Sequence, residues 1–383
     1  MTDQELLYTM ALTMALRQQS RHQRLLLDAA GSATAVFENR KDIGRMMEHV
    51  SERMADTLAS LESFLPRCEH ELTYARDHRI RVVALQDEGD YPSRLRQCED
   101  APLVLYVLGE VDLNAPRIVG IVGTRRCSER GRDLCTQLAR GIAEQCPGTL
   151  IVSGLAYGID VAAHRAALTH GLPTAGVLAH GLDEIYPRAH RPIAIEMLRS
   201  GGLVTEFMSH TQIDKVNFLQ RNRIVAGLAD AIVVVESPAR GGSLNTARLA
   251  GDYHREVFTF PGRPSDALSE GCNLLIRRHG ATLITGPEHL LTDLGWEQRS
   301  DPPERPQGTA AGDAVQGTLF PTLNAEEQKA VDALRAADGD LAMTDLAHAL
   351  GVPAYKITPL MLALEMKGVV KILPGSRYHL FGG

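Results

Sequence analysis

Basic side chains in this chain collect where short apolar runs end. The segment 121–132, "IVGTRRCSERGR", holds four arginines against one glutamate, and two β-branched residues lead into its Gly123. The same coincidence recurs downstream. Arg188 and Arg191 follow "TAGVLAHG", Lys215, Phe218, Arg221, Asn222 and Arg223 follow "LVTEF", and Arg240 follows "AIVVVE". A guanidinium presents fixed donors that match a phosphate bidentately. Phe218 and Tyr186 add rings on which a base can stack, and a basic groove with an aromatic platform is the recipe for holding single-stranded nucleic acid. Each residue also has a plainer reading. Glycines serve tight turns in any fold of this kind, a lone arginine is usually a solvated charge, and "RNR" can cap a helix or pair with Glu206 and Glu236. Phe218 can be a core contact, and His164 a packed histidine. The gathering of so many basic residues at one kind of position, in a chain whose net charge is −7, favours a local polyanion site.

Those positions depend on the elements that carry them. From Arg81 onward, "VVAL", "LVLYVLG", "RIVGIVG", "TLIVSG", "TAGVLAHG", "LVTEF", "AIVVVE", "VFTFPG" and "ATLIT" alternate with helix-length segments. Continuous apolar strands of this kind predict an α/β fold, a Rossmann-like, doubly wound, mainly parallel sheet covered on both faces. Ligands of such sheets bind beyond the carboxyl ends of the strands, where helix N-termini point outward. Residues 1–78 lack strand alternation and read as a small helical domain, and 79–296 form the sheet domain. The Pro- and Gly-rich stretch 297–322 reads as a flexible linker. Residues 323–383, three helical stretches and a hairpin-like "VVKILPGSRYHL", read as a winged helix whose first helix carries a capping-box variant at Asn324 and Glu327. Pro359 should interrupt or restart the third helix.

Several chemistries are excluded. The six cysteines form no CxxC and no Cys/His metal spacing, so no metal is expected and a reducing cytoplasm fits best. No apolar run approaches the length of a membrane span. "GIVGTRR" lacks the dinucleotide fingerprint, and no P-loop, G-x-S-x-G or HExxH is present. No cofactor and no catalytic residue is expected.

Taken together, "YPSRL…DAPLVLYVLG", "GIVGTRRCSERG", "IVSGLAYGIDVAAHRAAL", "GLDEIYP", "GGLVTEF", "NFLQRNRIVAGLADAIVVVE", "GGSLNTA", "REVFTFPG" and "GCNLLIRRHGA" closely resemble the DNA-processing protein A (DprA/Smf) family of bacteria. The resemblance covers about residues 91–281. It implies an extended Rossmann domain and a non-enzymatic protein that binds single-stranded DNA, forms a homodimer and helps load RecA recombinase during natural transformation. Arg125 matches the family's DNA-binding arginine, Arg188 the basic position after "YP", and Arg221 to Arg223 the "RNR" segment. Gly123 belongs to the same turn as Arg125, and Ser128, Gly131, Ser153 and Gly154 match phosphate-cradling turns. Lys215 and Phe218 rest on their place after a strand.

Residues 1–78 lack the glycine-rich hairpins common in the family. Residues 324–383 hold six Lys/Arg against seven Asp/Glu, which puts protein contact or regulation ahead of DNA binding there. The rival reading is a nucleotide-processing enzyme of the nucleoside-monophosphate phosphoribohydrolase type. "ARGGSLNTARLA" resembles its glycine-rich turn, but Ala250 and its neighbours provide no carboxylate at the expected place.

Overall fold

The computed structural model describes residues 1–17, 19–43, 50–87, 89–296, 323–337, 340–367, 369–373 and 377–380. The chain divides into two compact units, Met1–Ser300 and Asp301–Gly383. The expected linker at 297–322 lies outside the described residues.

The first unit opens with helices α1 (Asp3–Ala15), α2 (Ser20–Ala30), α3 (Ala33–Glu38), α4 (Glu52–Ala59) and α5 (Leu65–Asp77). Thr2, Ser32 and Ser51 cap α1, α3 and α4 by accepting backbone N–H bonds, as short hydroxyl side chains do. The nine apolar runs become nine strands: β1 (Arg81–Ala84), β2 (Val104–Gly109), β3 (Ile118–Val122), β4 (Leu150–Ser153), β5 (Thr174–Val177), β6 (Gly202–Thr205), β7 (Ala231–Val234), β8 (Glu256–Thr259) and β9 (Thr282–Leu283). They form one sheet in the order β1-β2-β6-β5-β4-β3-β7-β8-β9. β1, β2 and β6 pair antiparallel and every other pair is parallel. The connecting helices are α6 (Ser93–Arg96), α7 (Glu129–Gln145), α8 (Ile159–Thr169), α9 (Arg191–Met197), α10 (Lys215–Leu228), α11 (Gly242–Asp252), α12 (Glu270–Arg277) and α13 (Pro287–Asp293).

The two-residue period of a strand sends alternate side chains to opposite faces, and both faces are buried here. Ile118, Val122, Val152, Val177 and Val234 join one core with α10 and the N-terminal helices. Val119, Ile121, Ile151 and Val233 join the other with α7, α8 and α13. Helices 3–77 therefore share a continuous core with the sheet. A polar tie reinforces them: buried Glu71 on α5 accepts Ser209 N–H at 2.9 Å and Ser209 Oγ–H at 2.5 Å, and Arg67 donates to it at 2.9 Å. Ser209 lies on the segment between β6 and α10, so the N-terminal helices brace the approach to α10.

The second unit contains α14 (Ala325–Ala336), β10 (Asp340–Ala342), α15 (Met343–Leu350), α16 (Ala354–Met366), β11 (Val370–Leu373) and β12 (Arg377–Leu380), with an antiparallel sheet ordered β10-β12-β11. Val331, Leu334, Leu346, Ile357, Met361 and Tyr378 form its core. Asn324 and Glu327 make the full capping box on α14, and Glu327 also accepts from Lys367 Nζ at 2.6 Å. The expectation for Pro359 is corrected. α16 runs through it, because the flanking Ile357 and Met361 are held in the core, and that burial offsets the one intrahelical bond an interior proline forfeits.

Glu71→Ala leaves the buried Ser209 N–H without its acceptor and Arg67 without its carboxylate, though Arg67 Nη2 keeps its bond to Ser209 O. The expected loss is about 3 kcal/mol, read as a shift in the urea midpoint of the first unit. A change within about 0.5 kcal/mol would remove the tie from the structure's support.

Candidate functional site

The strand order reverses at β3. β4, β5 and β6 extend to one side of it and β7 and β8 to the other. The segments leaving β3 and β7 diverge at this switch point and leave a crevice at the carboxyl edge. A cleft of about 270 Å³ opens there, walled by Gly123, Thr124 and Arg125 after β3, Gly154 and Ala156 after β4, Pro238, Gly241, Gly242 and Ser243 around the start of α11, and Phe218, Arg221 and Asn222 on α10. A smaller recess continues from it past Arg125 and Phe218 to Tyr157, His180 and Tyr186.

Arg125 is exposed and its guanidinium carbon lies 5.1 Å from the Phe218 ring centroid. Tyr186 meets the same ring edge-on, with centroids 5.9 Å apart. The structure thus brings Arg125, Phe218 and Tyr186 into one group. Arg126 is exposed but is not part of the cleft wall. Lys215, the first residue of α10, and Arg188 are exposed outside the wall. Helix α11 begins at Gly241 with no side-chain cap, so its first N–H groups face the cleft as a neutral anion seat.

Other expected residues are employed in holding the site together. Arg221 is 4% exposed and its Nη1 donates to the carbonyls of Gly154 and Val177, at the ends of β4 and β5. Its Nε donates to Asn222 Oδ1 at 3.2 Å. Arg221 therefore forms the cleft floor and clamps two strand ends. A Cβ at position 154 would fall 2.1 Å from that guanidinium, so Gly154 makes room for Arg221. Asp160 lies beside it, and burial pushes its carboxyl above the usual range against the pull of Arg221. Gly158, at φ +80°, lets α8 start so close that a Cβ would meet the Thr124 carbonyl at 2.1 Å.

Three side chains expected at a ligand are turned elsewhere. Ser153 is fully buried and its Oγ donates to Ile121 O at 2.6 Å. Arg223 is 7% exposed, donates to Glu206 and to Asp100 O, and is pushed above its ordinary range, where burial is outweighed by those acids. Ser128 caps α7 through Gly131 N at 3.0 Å, and both its N–H (2.9 Å) and its hydroxyl donate to the Glu236 carboxylate. A Cβ on Gly131 would sit 2.5 Å from that carboxylate, and Gly123 is packed against Ile159 and the Glu236 carbonyl. The N-terminus of α7 thus already holds an anion supplied by the protein.

Glu236 is the main feature that residue types alone did not place. Its carbonyl accepts Thr124 N–H at 2.7 Å while its carboxylate accepts from Ser128. The two ends of the turn bearing Arg125 are therefore fastened to one residue. An acid ending an otherwise apolar strand was the available signal. Behind the cleft, buried His164 has Nδ1 2.7 Å from Thr174 Oγ1, whose proton goes to Ile151 O. Nδ1 must then donate, leaving Nε2 without a partner. Burial, with Arg221 and His190 nearby, holds its pKa down to about 3. Among the described residues no group of three His, Cys, Asp or Glu side chains is placed to hold a metal ion, and no helix is long and apolar enough to cross a membrane.

Two measurements check these placements. Glu236→Ala strands the Ser128 N–H and costs about 2 kcal/mol in chemical unfolding, and an unchanged midpoint would count against the fastening. His164 is neutral when folded and takes up a proton when unfolded at an ordinary value near 6.5. Its contribution is complete above that value and is lost as pH falls toward 3, by about 2 kcal/mol at about pH 5. The wild type should show this excess acid sensitivity over His164→Gln.

The sequence profile of the family described as DNA recombination-mediator protein A matches residues 82–295. A putative DNA processing protein DprA of Mycobacterium tuberculosis is 37% identical over 328 residues, 85% of this chain and 79% of the relative. Protein Smf of Escherichia coli is 36% identical over 338 residues, 85% of each chain. Among solved structures, DNA processing protein A from Streptococcus pneumoniae superposes with a TM-score of 0.55 and 31% identity, covering 71% of this chain and 97% of that one. DNA processing protein A from Helicobacter pylori, studied for its single-stranded DNA binding mode, gives 0.51 and 29%, covering 56% of this chain and 95% of that one. The profile match spans more than half of the chain, and the chain belongs to the DNA recombination-mediator protein A family.

Proposed function

We propose that this protein is a non-enzymatic, cytoplasmic recombination mediator that binds single-stranded DNA across the carboxyl edge of its sheet. The observation that carries the reading is electrostatic. Arg125 is exposed on the cleft wall, Arg188, Lys215 and Arg240 are exposed outside it on segments that follow the strands, and among the described residues none of them forms an ion pair with a carboxylate. Some arginines elsewhere, such as Arg67, Arg94, Arg223 and Arg248, are paired, so what sets these four apart is being unpaired and also placed after the strands at the carboxyl edge. Unpaired guanidinium groups beside the uncapped start of α11 suit phosphates, and Phe218 with Tyr186 suits a base. Direct phosphate contact is assigned to Arg125, Arg188 and Lys215, with Arg221 and Asn222 forming the floor and Gly123, Ser128, Gly131, Ser153, Gly154 and Arg223 supporting the frame. The H. pylori relative, named for its binding of single-stranded DNA, supports the ligand class.

The family further supports a homodimer that helps load RecA onto strands acquired in transformation. The helix-strand-helix-helix-strand-strand order of the second unit supports a winged helix, read here as a contact for partner proteins. Among the described residues the only carboxylate on the cleft wall is Asp160, buried beside Arg221, and its engagement favours binding over glycosidic hydrolysis.

Arg125→Ala should weaken binding of every single-stranded sequence alike. It should reduce the slope of log affinity against log salt by about 0.7, the loss of one phosphate contact. Filter binding of oligo-dT over a salt series reads both, and an unaltered slope would remove Arg125 from the phosphate role.

A further inference from the structure

The carboxyl edge carries a second concavity beyond the cleft. The first turn of α7 and the segment 261–266 after β8 border an open groove of about 750 Å³, lined by Ser128, Arg130, Pro261, Arg263, Ser265 and Asp266 among others. Arg130 and Arg263 are exposed, and neither forms an ion pair within 4.0 Å among the described residues. Arg130 Nη2 donates to Pro261 O at 2.9 Å, which fixes its guanidinium across the groove wall. The single acid here, Asp266, is satisfied by its own loop. It accepts Ser269 Oγ–H at 2.8 Å and Leu268 N–H at 3.0 Å. These bonds, Ser269 first, with smaller attractions from Arg130 and Arg263, hold its carboxyl below the usual range. Two cations thus face the groove against one locally engaged anion.

The placement continues the line of the cleft. In the sheet order β5-β4-β3-β7-β8, Arg188, Arg125, Arg240 and Arg263 follow β5, β3, β7 and β8 in turn. Gly271 N donates to Ser237 O at 2.8 Å, joining the segments after β7 and β8. With neighbouring strands about 4.8 Å apart, the four spacings from β5 to β8 span roughly 19 Å.

We propose that single-stranded DNA leaving the cleft crosses this groove, where Arg130 and Arg263 each hold a backbone phosphate. The binding track then runs perpendicular to the strands, from the β5 side to the β8 side. This extension rests on the reading of the cleft as a single-stranded DNA site. It makes affinity depend on strand length, because a short strand filling the cleft does not reach the groove.

The test uses the full chain with oligo-dT of about 5 and about 20 nucleotides, titrated from about 50 to 200 mM salt. Arg130→Ala/Arg263→Ala should lower the salt slope for the long strand by about 1.4, two contacts at about 0.7 each, and leave the short strand unchanged. Arg263→Ala alone, which removes no described hydrogen bond, should give half that change and the wild-type melting temperature. Arg125→Ala should affect both lengths. A double variant that binds the long strand with the wild-type slope, or that loses the short strand equally, overturns the extension while the cleft reading stands. Wild-type protein that binds neither strand overturns both.

Discussion

A parallel sheet whose strand order turns back on itself must open at the point of reversal. Here that point lies between β3 and β7, and the carbonyls of Gly154 and Val177 and the N–H of Ser128 lie close by, bonded to side chains. Buried backbone amides and carbonyls need partners. The partners supplied are long polar side chains reaching in from neighbouring elements. Arg221 serves the ends of β4 and β5, and Glu236 serves the turn after β3. The cleft exists because topology opens it, and it keeps its shape because Arg221 forms its floor and Glu236 fastens the turn that bears Arg125.

This division of labour separates two kinds of charged residue that look alike in a sequence. Arg221 and Arg223 belong to one "RNR" triplet, yet both are buried, one under the cleft and the other against Glu206 and Tyr91's surroundings on the opposite side of α10. Successive helical positions point about 100° apart, so Asn222 between them reaches the cleft wall while Arg223 does not. Arg125 has no such structural employment, and its guanidinium rests on Phe218 with its remaining donors toward solvent. Arg221 commits three of its five N–H donors to the Gly154 and Val177 carbonyls and Asn222 Oδ1, whereas an exposed guanidinium stacked on a ring is oriented without committing any.

The N-terminal helices have a share in this arrangement. Their core is continuous with one face of the sheet, and Glu71 reaches Ser209 on the segment that leads into α10. α10 carries Lys215, Phe218, Arg221 and Asn222. A helical segment that reads as independent therefore helps to set the position of the helix bearing most of the candidate site.

The nine strands, the helices between them and the clustering of basic residues after strands were legible because each depends on local pattern: β-branched runs, a two-residue or 3.6-residue period, and a turn residue at the end. Those same patterns located Arg125, Phe218 and Tyr186 near one edge. Local pattern has no access to which charges meet across the fold. Whether Ser128 presents its hydroxyl to a ligand or to Glu236, 108 positions away, depends on β7 lying beside β3. Whether Arg221 faces solvent or two carbonyls depends on how α10 crosses β4 and β5. Those pairings are long-range, and burial decides them, since a charge removed from water must take the nearest compensating group. Local residue patterns are enough to specify the sheet, its carboxyl edge and the chemistry collected there. Which of the charged and hydroxyl side chains are left over for a ligand, once the fold's own polar groups have been satisfied, depends on long-range packing.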